Sequence, residues 1–361
     1  MPTIIDGTNG VILSGSTSGT VTIQAPAVAG SPTITMPTTT GQALVSGTSL
    51  VLPQGRLTLV TATPVMTSNQ TGKTTLYYTP YRGATIPIYD GSKWTHMVFS
   101  ELSNITTNSS TGNAGPAAVT TNSNYDLFVW NNSGTLTLTR GPAWSSDTSR
   151  GTGAGTTQLT MVNGIWTNTV AITNGPGAGL GTYVGTVRSD GSSQLNWNFA
   201  PSAAAGGAEA KLHVFNAYNR VFTYGISQDS TGSWSYGTAT WRSLDNSTSN
   251  RISYIDGLSE LTIIASLQAA LNQSGGGLYH FGVNRDSTTA TPPSSTMSQI
   301  GSTNGTVQYE VNYTPSLGYH YLQAMEASGS GGSTTVYGQI SMGLGGSNTN
   351  QGEELRVNTN M

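Results

Sequence analysis

Apolar residues in this chain come in short alternating runs, and turn residues cut each run off before a helical period can establish itself. Thr20-Val21-Thr22-Ile23, Thr33-Ile34-Thr35-Met36, Thr135-Leu136-Thr137-Leu138 and Val307-Gln308-Tyr309-Glu310-Val311 alternate strictly, and Gly or Pro follows each within a few residues. Residues two apart share one face of a strand, whereas an amphipathic helix needs apolar residues three and four apart. The pattern therefore predicts an all-β fold, and short strands at this spacing without helices predict β-sandwich or jelly-roll-like modules. So many strands create exposed edges, which contacts between copies of the chain would cover.

Charge narrows the function classes. Lys and Arg total 13 and Asp and Glu 16, a net charge of -3, and charged residues make up only 8%, against about 25% in an ordinary domain. Electrostatic capture of nucleic acid or of an anionic membrane surface is not expected. No apolar stretch approaches the ~18 residues that span a bilayer, so no membrane insertion is expected. Cysteine is absent, which removes disulfides, thiolate metal sites and a thiol nucleophile. Seven Trp and sixteen Tyr supply enough bulk for a real core, unlike a disordered chain. The start, Met1-Pro2-Thr3-Ile4-Ile5-Asp6-Gly7, has neither a basic nor an apolar signal region, so synthesis and folding in a cytoplasm are expected.

Residues 1–53 stand apart. They contain no Lys, Arg, His or aromatic residue, and Asp6 is their only charge. They hold too few large apolar side chains to build a core within one chain. The expectation is a slender intertwined β shaft in which several copies bury one another's strands. A flexible low-complexity leader is the alternative. A small β module over 54–115 and a β-sandwich domain over 116–361 are expected to follow.

Hairpins punctuate the remainder. Asp90-Gly91 lies between Ile86-Pro87-Ile88-Tyr89 and Lys93-Trp94-Thr95-His96-Met97-Val98-Phe99, and Pro87 suits an edge strand because it has no N–H to donate. Tyr125 to Trp130 turns through Asn131-Asn132-Ser133-Gly134 into Thr135 to Thr139, placing Leu136 and Leu138 on one face. Leu159 to Val162 turns through Asn163-Gly164 into Ile165-Trp166. Asn104 to Asn124 and Pro201 to Ala208 read as loops. Ser259 to Asn272 carries helix formers and a possible N-cap at Ser259. Positions 261, 263, 265, 267, 269 and 271 are nonetheless all apolar, so strand period fits better and a long strand is predicted. Leu278 to Val283 is expected to pair back onto it across Gly275-Gly276-Gly277.

Candidate chemistries are weak one by one. Thr71-Gly72-Lys73-Thr74 matches the end of a phosphate-binding loop, but Thr67 stands where the motif needs Gly. His96, His213, His280 and His320 show no metal spacing. Asp229, Asp245, Asp256 and Glu260 are the densest acids, yet their turn settings suit solvated loops better than a glycan-hydrolysing pair. Asn-x-Ser/Thr triplets such as Asn69-Gln70-Thr71 arise from composition alone. No cofactor, metal or catalytic residue is predicted, and the chain reads as a non-enzyme. A binding surface remains. Trp234 and Tyr236 share one face beside polar Asp229-Ser230-Thr231-Gly232-Ser233, where rings could stack on sugars and Asp229 could bond hydroxyls. The same alternation would equally place both rings in the core, and Trp241 is expected there.

Gly19-Thr20-Val21-Thr22-Ile23-Gln24-Ala25-Pro26-Ala27-Val28-Ala29-Gly30 and Thr33-Ile34-Thr35-Met36-Pro37 resemble N-terminal segments of bacteriophage tail-fibre and related virion proteins. Thr63-Pro64-Val65-Met66, Thr75 to Pro80, Ile86 to Tyr89 and Phe99-Ser100-Glu101-Leu102-Ser103 look like a module frequent in phage and prophage fibres. Tyr125-Asp126-Leu127-Phe128, Ala143-Trp144, Tyr183 to Arg188, Phe215 to Val221, Ala239 to Arg242 and Leu317 to Leu322 are similar to the domain that follows it there. The resemblance covers nearly the whole chain. It implies a homotrimeric virion appendage, docked through residues 1–53 on a phage tail or capsid protein, with the C-terminal domain turned toward a host surface glycan or protein. A particle assembled in a cytoplasm and released outside also suits the uncharged, cysteine-free composition. A head fibre or capsid decoration protein, or a glycan-degrading spike, is the alternative.

Overall fold

A computed structural model describes residues 11–14, 20–23, 51–274, 278–298, 304–329, 333–339 and 352–361. The chain divides into two units, Met1–Ser49 and Leu50–Met361. In the first, Val11–Ser14 pairs antiparallel with Thr20–Ile23, Val11 opposite Ile23. The strand expected at Thr33 to Met36 lies outside the described residues, as does the Gly275-Gly276-Gly277 turn.

The second unit is built from strands, with two single 3-10 turns at Thr111–Asn113 and Leu244–Asn246 and no α-helix among the described residues. One sheet runs Thr135–Ala143, Asn124–Asn132, Thr182–Arg188, Ile165–Asn168, Leu159–Val162, with Val214–Asn216 also paired to Thr182–Arg188. A second runs Ser295–Ser298, Tyr279–Arg285, Gly318–Ser328, Arg251–Asp256, Ala210–Leu212, Leu195–Asn198, Gln70–Lys73, with Arg242–Ser243 on Gly318–Ser328. The third is organised by Ile263–Ser274, which carries Asn304–Tyr313 along one edge. Along its other edge lie Glu354–Asn360 and Ser333–Tyr337, end to end. Phe222–Ser227 and Trp234–Ser235 extend this sheet outward.

The long strand follows its sequence period. Leu261, Ile263, Ala265, Leu267, Ala269 and Leu271 are buried, while Thr262 and Ile264 are exposed and Ser266 and Gln268 half-buried. The strand begins at Ile263, because Ser259 takes a left-handed φ of 58° that belongs to a turn. The expected pairing of Leu278 to Val283 onto it is corrected: Tyr279–Arg285 pairs with Gly318–Ser328 and Ser295–Ser298 in the second sheet. Tyr279, Phe281 and Val283 are all buried, and such a strand gains more between two neighbours than as one arm of a hairpin.

Both Asn-rich hairpins form, with left-handed φ at each central residue: 51° and 97° at Ser133-Gly134, 48° and 90° at Asn163-Gly164. These angles match the twist of the flanking strands. Asp90-Gly91 closes its hairpin differently. Only Gly91 is left-handed, and the Asp90 carboxylate accepts the Ser92 and Lys93 N–H groups, holding a four-residue loop. Thr85–Tyr89 and Trp94–Val98 pair only with each other, so Pro87 does sit on an edge.

The boundary expected at 115/116 does not divide the packing. One continuous apolar core joins Leu57, Tyr78 and Ile88 to Phe128, Phe215, Ile252, Leu267 and Leu355. Polar ties cross the same line: Asn216 Oδ1 accepts the Leu57 N–H at 2.6 Å, and Gln70–Lys73 pairs with Leu195–Asn198. The second unit begins at Leu50. The Pro53 carbonyl accepts from Asn219 Nδ2 at 2.8 Å, and the Val51 N–H donates to His96 Nε2 at 3.2 Å.

Candidate binding surface

Asp229 follows the strand Phe222–Ser227 and is fully buried. Its Oδ1 accepts the N–H groups of Gly206 and Thr231, and its Oδ2 accepts Asn250 Nδ2 at 2.9 Å. The expectation that this carboxylate is presented to a partner's hydroxyls is corrected. It stitches three loops together, because a buried carboxylate must have its acceptor sites filled from within the protein.

Trp234 and Tyr236 do face one way, and that way is inward. Trp234 is 9% exposed and donates from Nε1 to Glu326 Oε2 at 2.9 Å. Tyr236 is half-buried against the core, with the Arg242 guanidinium 3.8 Å over its ring and its hydroxyl on the Thr240 carbonyl. Arg242 binds Glu326 Oε1 through Nε and Nη2, both at 2.7 Å, and the Tyr279 hydroxyl makes a short bond to Oε2. Glu326 is the hub of this cluster and is fully buried. Burial pushes its carboxyl above the usual carboxylate range, against the bonds from Tyr279, Trp234 and Arg242. The sequence signal for it was an acid inside the apolar stretch Ala324-Met325-Glu326-Ala327, since a charge there needs partners. Trp241 is half-buried rather than in the core, its ring edge-on to His280 at 6.2 Å.

The acidic group predicted from sequence separates. Asp256 caps its own turn by accepting the Leu258, Glu260 and Leu261 N–H groups, and Glu260 pairs with Arg220. Asp229 and Asp245 stay together and are joined by Glu353, whose Oε2 accepts the Asp229 N–H at 3.0 Å. Glu353 is fully buried and its Oε1 has no hydrogen-bond partner. Burial, then the charges of Asp229, Glu354 and Asp245, push its carboxyl well above the usual range. A carboxyl raised in the folded state favours folding below its unfolded pKa of about 4.3 and loses that advantage as pH rises through the folded value. Glu353→Gln is therefore expected to raise the melting temperature at pH 8 and flatten its decline between pH 5 and 8. Thermal unfolding across that range is the check, and parallel curves for the two proteins would refute the assignment. Among the described residues no three His, Asp or Glu side chains converge to hold a metal ion.

The histidines stay apart: His213 bonds Ser253, His320 bonds Asp286, and His280 meets Trp241. The phosphate-loop fragment lies in the edge strand Gln70–Lys73. Its Gly72 N–H is already donated to Asn196 Oδ1 at 3.1 Å, so the amide is not free for an anion.

A groove of about 590 Å³ opens where Tyr279–Arg285 and Asn304–Tyr313 end. Asp286 turns the chain with φ of 60°, and its carboxylate takes the Tyr321 N–H and His320 Nδ1. The loop after it folds down onto Gly282, where a Cβ would lie 2.7 Å from the Pro292 ring. The Tyr313 hydroxyl crosses to the Val283 carbonyl at 2.7 Å, and Tyr309 bonds Ser294. Sequence reasoning missed this place, because its residues come from strands of two different sheets and the loop between them, which meet only by packing. No protein-family model and no curated protein matches the chain.

Proposed function

We propose that the chain is a structural subunit of a bacteriophage virion: a homotrimeric tail fibre or spike that attaches the particle to the host cell surface. Residues 1–49 would form the intertwined anchoring shaft, and the 50–361 unit, as sandwich-like β modules, would face the host. One observation carries the reading. The chain divides after Ser49 into a segment with no aromatic residue and a unit that holds every Trp, Tyr and Phe. A segment so poor in bulk buries little within one chain, so partner copies are the natural source of its core. The resemblance to phage fibre proteins points the same way, and no catalytic step is assigned.

Light scattering tests it. The full chain is expected at three times its 37.4 kDa mass, and the chain lacking residues 1–49 at a lower order of assembly. A monomer in the full chain would overturn the trimer.

A further inference from the structure

We propose that the groove beside Arg285 is a binding site for an acidic saccharide, a sugar bearing a carboxylate. The inference rests on the attachment reading above and adds a site and a ligand class to it.

Arg285 ends the strand Tyr279–Arg285 at the groove wall, half-buried. It forms no ion pair among the described residues. Nη1 donates to the Thr314 carbonyl at 2.9 Å, and the side chain also hydrogen-bonds Tyr254. Asp286, next in sequence, turns its carboxylate to His320 and the Tyr321 N–H and forms no ion pair with Arg285. The guanidinium rests over the Tyr313 ring at 5.3 Å, which fixes its plane without consuming its donors. A guanidinium presents five N–H groups in a rigid fork suited to a planar carboxylate. On a chain of net charge -3, Arg285 is a half-buried cation at a groove wall with no carboxylate in ion-pair reach, and an anion would complete it.

The rest of the lining selects a sugar. Thr291, Ser294 and Asn312 are exposed along the groove, and the Asn284 side chain, bonded through Nδ2 to the Ala290 carbonyl, stands beside Arg285. No acidic side chain lines it. Hydroxyls and amides in an open, shallow site can exchange hydrogen bonds with the hydroxyls of a saccharide, whereas an apolar ligand would find little to bury against. The volume suits a short oligosaccharide, and a weak single site is multiplied when several copies engage one surface.

The test uses the full chain and tri-galacturonate, with its methyl ester as the uncharged control, followed by NMR titration or calorimetry. Wild type is expected to bind the acid at least tenfold more tightly than the ester. Arg285→Gln, which keeps the stem, is expected to lose that preference, and Asn312→Ala to weaken binding several-fold, both with unchanged melting temperature. Equal binding of acid and ester, no binding of either, or undiminished binding by Arg285→Gln would overturn the site. So would preferential binding of an extended peptide along the free edge of Asn304–Tyr313. Labelled chain on a panel of bacterial cells separates the two readings. Cell binding that survives Arg285→Gln sinks the groove and leaves attachment standing. Saccharide binding without binding to any cell does the reverse.

Discussion

Asp126→Ala is expected to destabilise the 50–361 unit by about 3–5 kcal/mol, the loss typical when one partner of a buried ion pair is removed. Asp126 and Arg150 are 2% and 6% exposed and meet in a two-pronged pair, Arg150 Nε to Oδ2 at 2.6 Å and Nη2 to Oδ1 at 3.0 Å. Thr186 donates to Oδ1 at 2.7 Å, and Arg150 reaches on to the Gly257 carbonyl at 2.6 Å. That last contact ties the first sheet to the turn after Arg251–Asp256. Gly257 fits there because it lacks a side chain: a Cβ would lie 2.3 Å from the Tyr183 hydroxyl. Without Asp126 the guanidinium is left over the Trp144 ring, 4.3 Å away, with no counter-charge. Urea unfolding of the two proteins measures the difference, and a loss under about 1 kcal/mol would mean that Arg150 finds water instead. Replacing both residues by Leu and Met should recover part of the loss, because the penalty comes from the orphaned charge more than from the missing attraction.

Arg140→Met is the second large effect, about 3 kcal/mol or more, because buried acceptors lose their donor together. Arg140 is 1% exposed and holds the loop after Leu102–Ile105 from inside. It donates to the Ile105 and Ala117 carbonyls at 2.9 Å, and makes short bonds to Asn104 Oδ1 and the Asn108 carbonyl. Burial lowers its pKa to about 10, so it stays charged at neutral pH. Methionine keeps much of the apolar stem and removes the donors. Amide exchange is expected to speed up across residues 104–117 before the rest of the unit opens. Unchanged protection there would show that the loop stands without Arg140.

Both effects were invisible in the sequence, and the reason is the same in each. Asp126 precedes Arg150 by 24 residues, and Arg140 reaches back 32 to Asn108. Neither spacing is a motif, so only strand pairing creates the contact. The local elements were readable because their causes are local. Leu261 to Ala269 buries alternately, and Asn163-Gly164 turns because both residues tolerate positive φ. The readings that failed concerned a residue's neighbours on a different segment. Asp229 looked like a loop acid offered to solvent, and lies buried because Gly206, Thr231 and Asn250 converge on it. Trp234 and Tyr236 were correctly placed on one face, but which face is set by Glu326, some ninety residues on.

By itself, then, the amino-acid sequence determined that the described residues fold as strands without an α-helix, where the tight hairpins turn, and that residues 1–53 carry no aromatic side chain. Periodicity and turn chemistry act within a few residues and need no partner. Tertiary structure alone decided which strands share a sheet, that 54–115 and 116–361 pack as one body, and that Arg285 lines a groove without an ion pair among the described residues. Each of these depends on long-range pairing, where the free energy of burying a side chain is set by whatever distant segment covers it.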